Sequence, residues 1–195
     1  MDEILVIHGF NSGKGDKSLK LEKAFPNCKV ISPQLNNTPE KDILMLNEYL
    51  KSSNNIHVVG TSLGAFYALV LAALNKDKDN ISYYLINPSI NPGERFESKI
   101  GKEYLNYKNN TPFTVNENFV KELKLYSQFV DENFNEVLSV SSWFIGADDK
   151  EIDHSYLIQK LLSTTKPFKL FISSQDHRHE DISQVIKQIK QNSVL

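Results

Sequence analysis

The chain has 195 residues, of which 40% are hydrophobic and 24% charged, and a formal net charge of −2. It is long enough for one sizeable core and reads as one domain, 1–195; its near-neutral balance offers no broad basic field to nucleic acid or anionic lipid, so a small neutral or mildly charged partner is expected. No stretch reaches the length of a membrane span, the start Met1-Asp2-Glu3 lacks the basic and long apolar regions of a signal peptide, and a single cysteine, Cys28, suits a reducing cytosol, so a cytoplasmic protein is expected.

Short β-rich runs alternate with segments of helical periodicity, the pattern of a mainly parallel sheet with helices on its faces. In chain order the expected elements are a strand Ile4–His8, helix Ser18–Ala24, strand Lys29–Ile31, helix Glu40–Leu50, strand Ile56–Val59, helix Leu63–Leu74 and strand Tyr83–Ile86. After them come strand Val140–Ile145, helix Ser155–Leu162, strand Lys169–Ile172 and helix Ile182–Gln191. The interval 91–135 breaks the alternation: it is polar, carries Phe96, Tyr104, Tyr107, Phe113, Phe119, Tyr126 and Phe129, and is expected to form helix-like pieces, without a strand, as a lid or insert. Its aromatics fit a satellite core as well as a lid.

The glycine-rich loop after the first strand, "HGFNSGKGDKS", poses a choice between a phosphate loop and an oxyanion loop. Gly9, Gly13 and Lys14 approach a P-loop, but the spacing is one residue short and Gly15 stands where a magnesium-binding hydroxyl is needed. A His-Gly pair after an early strand can instead turn a backbone N–H toward an acyl site.

The decision comes from Gly60-Thr61-Ser62-Leu63-Gly64, a G-x-S-x-G between a β-branched run and an apolar helix. Such a turn holds its serine in a strained conformation at a helix N-terminus, where an anionic intermediate is favoured. A serine nucleophile needs a base, and the base an orienting acid, here in the chain order serine, acid, histidine. Asp149, in the acidic turn after a late strand, is favoured as the acid, with Asp148 the alternative and Ile152 a candidate anchor for the loop; Asp153 suits a helix cap. His177, nearest the end of the last strand, is favoured as the base, with His179 in reserve. The His177-x-His179 pair with Asp176 and Glu180 lacks the spacing of a metal site, so no metal is expected. Of the other histidines, His57 reads as a packed or edge residue, His154 as solvent-facing, and His8 as a buttress of the first loop. With Ser62 as nucleophile, the backbone N–H groups of Phe10 and Leu63 form the expected oxyanion hole.

These residues, with "ISPQL" (31–35), "GTSLGAFYA" (60–68) and "INPSINP" (86–92), resemble the small bacterial YqiA-like esterase family of the α/β-hydrolase superfamily, the match being weakest over 94–136. Thr61 and Ala65 stand where that family often has serine and a second glycine, and Gln175-Asp176 where a glycine-containing turn is common. The resemblance implies an α/β-hydrolase fold, a three-layer αβα sandwich with about six strands in the order 2-1-3-4-5-6. It also implies a serine carboxylesterase for short acyl esters or thioesters, without a cofactor. A hydrolase-fold protein that only binds its ligand, or an acyltransferase using the same residues, are the alternatives.

Overall fold

The computed structural model describes residues 2–51, 55–106 and 110–193; Tyr107 lies outside them. Six strands, β1 (Glu3–Ile7), β2 (Lys29–Ile31), β3 (Ile56–Thr61), β4 (Ile81–Ile86), β7 (Ser141–Gly146) and β8 (Lys169–Ser173), form one sheet in the order β2-β1-β3-β4-β7-β8, every neighbouring pair parallel. Two further short strands, β5 (Glu103–Leu105) and β6 (Pro112–Thr114), form a separate hairpin. Counted within the main sheet, the order is the one expected.

Strand residues alternate between faces, and the apolar ones divide accordingly. Ile4, Val6, Val59, Tyr84, Ile86 and Phe144 face a cluster with Leu21 of α1 (Asp16–Ala24) and Val185 and Ile189 of α8 (Ser183–Asn192). Leu5, Ile7, Val58, Tyr83, Leu85, Trp143 and Ile145 face the larger cluster. That cluster is completed by α2 (Pro39–Tyr49), α3 (Leu63–Leu74), α5 (Glu117–Glu132), α6 (Phe134–Val140) and α7 (Ser155–Ser163). The result is helices, sheet, helices in three layers. Helix α3 is apolar around its circumference, and residues Leu63 to Ala73 are buried, as befits a helix covered on all sides.

Residues 91–135 depart from expectation. They hold α4 (Pro92–Glu97), the β5–β6 hairpin and α5, so strands occur where only helix-like pieces were expected. Three-residue strands are too short to display a two-residue period, and pairing supplies their order: Tyr104 stands opposite Phe113 with rings stacked at 5.4 Å. Both rings pack edge-on against Phe10, at 5.1 and 5.4 Å, which ties the hairpin to the first loop. Phe96 and Phe119 also meet the Phe10 ring and belong to the main core.

In the register of the sheet Ile7 lies beside Gly60, Thr61 beside Ile86, and Gly146 beside Ser173. The chain therefore leaves β1, β3, β4, β7 and β8 at one edge, the carboxyl edge at which open α/β sheets bind their ligands.

Candidate active site

Ser62 stands between β3 and α3 with φ +55° and ψ −118°, a left-handed conformation strained for any residue but glycine. Its surroundings over-determine it. The Ser62 N–H donates to Ile86 O at 2.9 Å, and its carbonyl accepts from Ala65 and Phe66, both at 3.1 Å, and from Ser89 at 3.4 Å. The flanking glycines are steric necessities. A Cβ on Gly60 would lie 2.5 Å from Gly64 O, and one on Gly64 would lie 2.3 Å from Ile7 O. Strand, helix and first loop thus meet at backbone contact around the serine.

Phe10 and Leu63 line the same cavity of about 600 Å³ as Ser62 and His177, a volume usual for small-molecule sites. Leu63 opens α3, so its N–H belongs to the first turn, where no intrahelical carbonyl can accept it. His8 holds the first loop as a neutral ring: Nδ1–H donates to Gly9 O at 2.8 Å, while Nε2 accepts from Leu35 N at 3.2 Å. Burial lowers its pKa, opposed by the Gly9 bond. The buttress expected of His8 therefore links the β1 and β2 exits.

Of the candidate acids, Asp149 meets a histidine and Asp148 points to solvent. The Asp149 side chain is 1% exposed; Oδ1 accepts from the N–H groups of Glu151 (2.8 Å) and Ile152 (3.0 Å), and buried Ile152 anchors the turn. Oδ2 accepts His177 Nδ1–H at 2.9 Å and His154 Nε2–H at 3.0 Å. Burial would raise the pKa of this carboxyl, but the bonds from His177, Ile152, Glu151 and His154 together hold it below its ordinary value. Asp153 Oδ1 accepts Ser155 N at 2.9 Å, at the start of α7.

His154 corrects an expectation. Read as solvent-facing, it is buried, with a side chain 5% exposed, because the turn held by Asp149 folds its ring inward onto Oδ2. Burial lowers its pKa, against the pull of Asp149, and Nδ1 has no hydrogen-bond partner among the described residues. Two histidines thus share one carboxylate oxygen, and only His177 reaches the cavity.

His179 is directed elsewhere. It is 3% exposed, sits at φ +47° and makes no bond to Asp149 among the described residues. Burial, and then Lys17, push its pKa down to about 4. His57 packs internally, with Nδ1 3.2 Å from Tyr84 Oη. The His177 Nε2 atom lies 3.7 Å from Glu151 Oε2, and among the described residues Ser62 Oγ makes no hydrogen bond to it; such contacts are often long until substrate is bound.

Asn87 is a residue that sequence reasoning passed over. Completely buried at φ +44°, it follows β4 and reaches across the sheet edge. Its Nδ2 donates to Asp176 O (3.0 Å) and His177 O (3.1 Å), and its Oδ1 accepts Gly146 N at 2.7 Å. One side chain thereby fixes the histidine loop to the strand that precedes Asp149. From α1, Lys17 donates to Arg178 O and Lys20 to Glu180 O at 2.7 Å, holding the loop's other side.

Among the described residues no group of acids, histidines and cysteine is arranged to hold a metal ion, and no helix is long and apolar enough to cross a membrane. The model of the Uncharacterised protein family (UPF0227) matches residues 3–193. No curated protein matches the sequence. Among solved structures, mouse alpha/beta hydrolase domain-containing protein 10 is similar with a TM-score of 0.68 at 16% identity, covering 97% of this chain and 88% of that one. Est1E from Butyrivibrio proteoclasticus is similar with a TM-score of 0.67 at 15% identity, over 97% and 86% of the two chains. The monoacylglycerol lipase of Paleococcus ferrophilus has a TM-score of 0.69 at 9% identity, over 97% and 92%. At these identities the likeness is one of fold, and the fold is that of the α/β hydrolases.

Proposed function

The chain belongs to UPF0227, the YqiA-like family of α/β-hydrolase fold, and from that premise we propose that it is a serine hydrolase cleaving a small carboxylic ester or thioester through an acyl-enzyme. The observation that carries the reading is the 2.9 Å bond to the buried Asp149 carboxylate from His177, which lines one cavity with a serine at φ +55°. The names of two of the similar structures, a hydrolase domain-containing protein and a monoacylglycerol lipase, agree with it.

In this mechanism Ser62 Oγ attacks the carbonyl carbon while His177 Nε2 takes its proton. Asp149 keeps the Nδ1–H tautomer in place and stabilises the imidazolium that forms. The N–H groups of Phe10 and Leu63 receive the oxyanion, each worth on the order of 3 kcal/mol. As the tetrahedral intermediate collapses, the proton on Nε2 passes to the departing alcohol or thiol. A water then gives its proton to the same nitrogen and attacks the acyl carbon, releasing the acid and restoring Ser62. Residues 91–135 act as the lid of the single domain, packing Phe96, Tyr104 and Phe113 against Phe10, which with Phe96 lines the cavity. The chemistry calls for no cofactor. The single cysteine, near-neutral charge and lack of a spanning helix among the described residues support a cytoplasmic enzyme that binds neither nucleic acid nor membrane.

The test is turnover of 4-nitrophenyl acetate and butyrate by purified protein. The proposal expects saturable hydrolysis that falls to the background rate in Ser62→Ala. Turnover that survives this change would overturn it.

A further inference from the structure

Five cations line the Ser62 cavity: Arg178 belongs to the histidine loop, Lys17 and Lys20 hold that loop, and Arg95 and Lys99 have no part in this mechanism. Arg95 in α4 and Lys99 just beyond it, one helical turn apart, are half-buried and line the cavity. Neither makes an ion pair with a carboxylate among the described residues. Their placement relative to the serine is specific. Arg95 Nη1 lies 3.5 Å from Ser89 Oγ, and the Ser89 backbone donates to the carbonyl of Ser62. Lys99 Nζ stands 5.2 Å from the centre of the Phe10 ring and 4.6 Å from that of Phe96. One cation therefore adjoins the nucleophile's own backbone partner, and the other adjoins the residue whose N–H faces the oxyanion. Aromatic faces attract an ammonium but leave its charge without a counter-ion. Burial, and then the nearby Arg95, lower the pKa of Lys99, with Glu151 opposing.

The wall around His177 is of mixed sign, with Glu151, Glu180 and Asp16 beside Arg178, Lys17 and Lys20, and Glu151 is the carboxylate that meets the base. Glu151 Oε2 lies 3.7 Å from His177 Nε2, the side on which the leaving group receives its proton. An anion on the leaving group would face that carboxylate, whereas an anion on the acyl group would face Arg95 and Lys99. A guanidinium matches a carboxylate in shape and hydrogen bonding. Both cations line the cavity that Ser62 lines, so the anion they bind belongs to the molecule that reaches the serine.

We propose that Arg95 and Lys99 form an anion subsite for the acyl half of the substrate, which is a half-ester or half-thioester of a dicarboxylic acid. The inference rests on the hydrolase reading of the Ser62 site.

The experiment compares kcat/KM for monomethyl glutarate with that for methyl pentanoate, a neutral ester of similar length, by following acid release at constant pH. The expected ratio is at least 10 in favour of the glutarate ester at low salt, shrinking as ionic strength rises. It falls toward 1 in folded Arg95→Gln/Lys99→Gln. Equal or greater preference for methyl pentanoate, or a ratio unaltered in the double variant, would overturn the proposal. Independently of turnover, glutarate is titrated calorimetrically into Ser62→Ala with and without the two glutamine changes. Binding lost with the cations supports the subsite even if no ester is cleaved, an outcome that would sink the hydrolase reading alone. Inorganic phosphate binding as tightly as glutarate would overturn the assignment to a carboxylate.

Discussion

Replacing Asn87 with alanine probes how the histidine loop is held. The change removes three hydrogen bonds of 2.7, 3.0 and 3.1 Å from a completely buried side chain. Gly146 keeps a buried N–H without its acceptor, at about 1–3 kcal/mol, and the carbonyls of Asp176 and His177 lose their shared donor. Alanine also resists the backbone of position 87, at φ +44°, by about 1 kcal/mol. The combined loss is about 3–5 kcal/mol, a large share of the roughly 5–15 kcal/mol that holds a domain folded. With a urea m-value of about 2 kcal/mol/M, the unfolding midpoint falls by about 1.5–2.5 M. Asn87→Gly relieves the backbone and loses the same bonds, so it should lie about 1 kcal/mol above alanine and well below the wild type. Both variants should react slowly with a fluorophosphonate, because His177 loses its anchor. A midpoint shift under about 0.3 M for alanine, or full recovery by glycine, would refute the hydrogen-bond clamp.

Three further outcomes follow from the geometry. His179, with a folded pKa of about 4 against about 6.5 when unfolded, is kept neutral by the fold. Its contribution is complete above pH 6.5 and is lost as the pH falls toward 4, by at most about 3 kcal/mol. Asn tolerates φ +47°, so His179→Asn should flatten the fall in urea midpoint over that window, and an unchanged slope would argue against it. Gly64→Ala places a Cβ 2.3 Å from Ile7 O and should either prevent folding or abolish fluorophosphonate labelling; normal labelling would mean the three backbones can part. His154→Phe removes one of two donors on Asp149 Oδ2 and should slow labelling at least about tenfold, the worth of one charge-assisted hydrogen bond, in protein that remains folded; an unchanged rate would reduce His154 to packing.

What could be read from the chain was local. The serine turn is legible because its glycines, its strand and its helix are adjacent in sequence, and helix α3 begins and ends where its apolar run does. Asp149 and His177 were approachable because chain order and strand exits narrow the choice to a few residues. The structure brings His177 and leaves His179 away from the carboxylate, a difference set by the turn that Asp176 Oδ1 makes with the N–H groups of residues 178 and 179. The role of Asn87 lies in partners 59, 89 and 90 residues away, so only its place in an Asn-Pro pair at a strand exit offered a signal. His154 reads as solvent-facing from its place near a helix start. Its burial depends on Oδ2 of Asp149 turning inward, which a run of polar residues does not reveal. The β5–β6 hairpin is not legible in the chain because its three-residue strands take their order from pairing with each other and from the Phe10 ring, nearly a hundred residues earlier.

The central claim is that Ser62 is an activated nucleophile, and fluorophosphonate labelling followed by peptide mass spectrometry tests it without a known substrate. The account predicts a single adduct on Ser62 of the wild type, absent from Ser62→Ala and His177→Ala and retained in His179→Asn. Folded wild-type protein that acquires no adduct on Ser62 would contradict it.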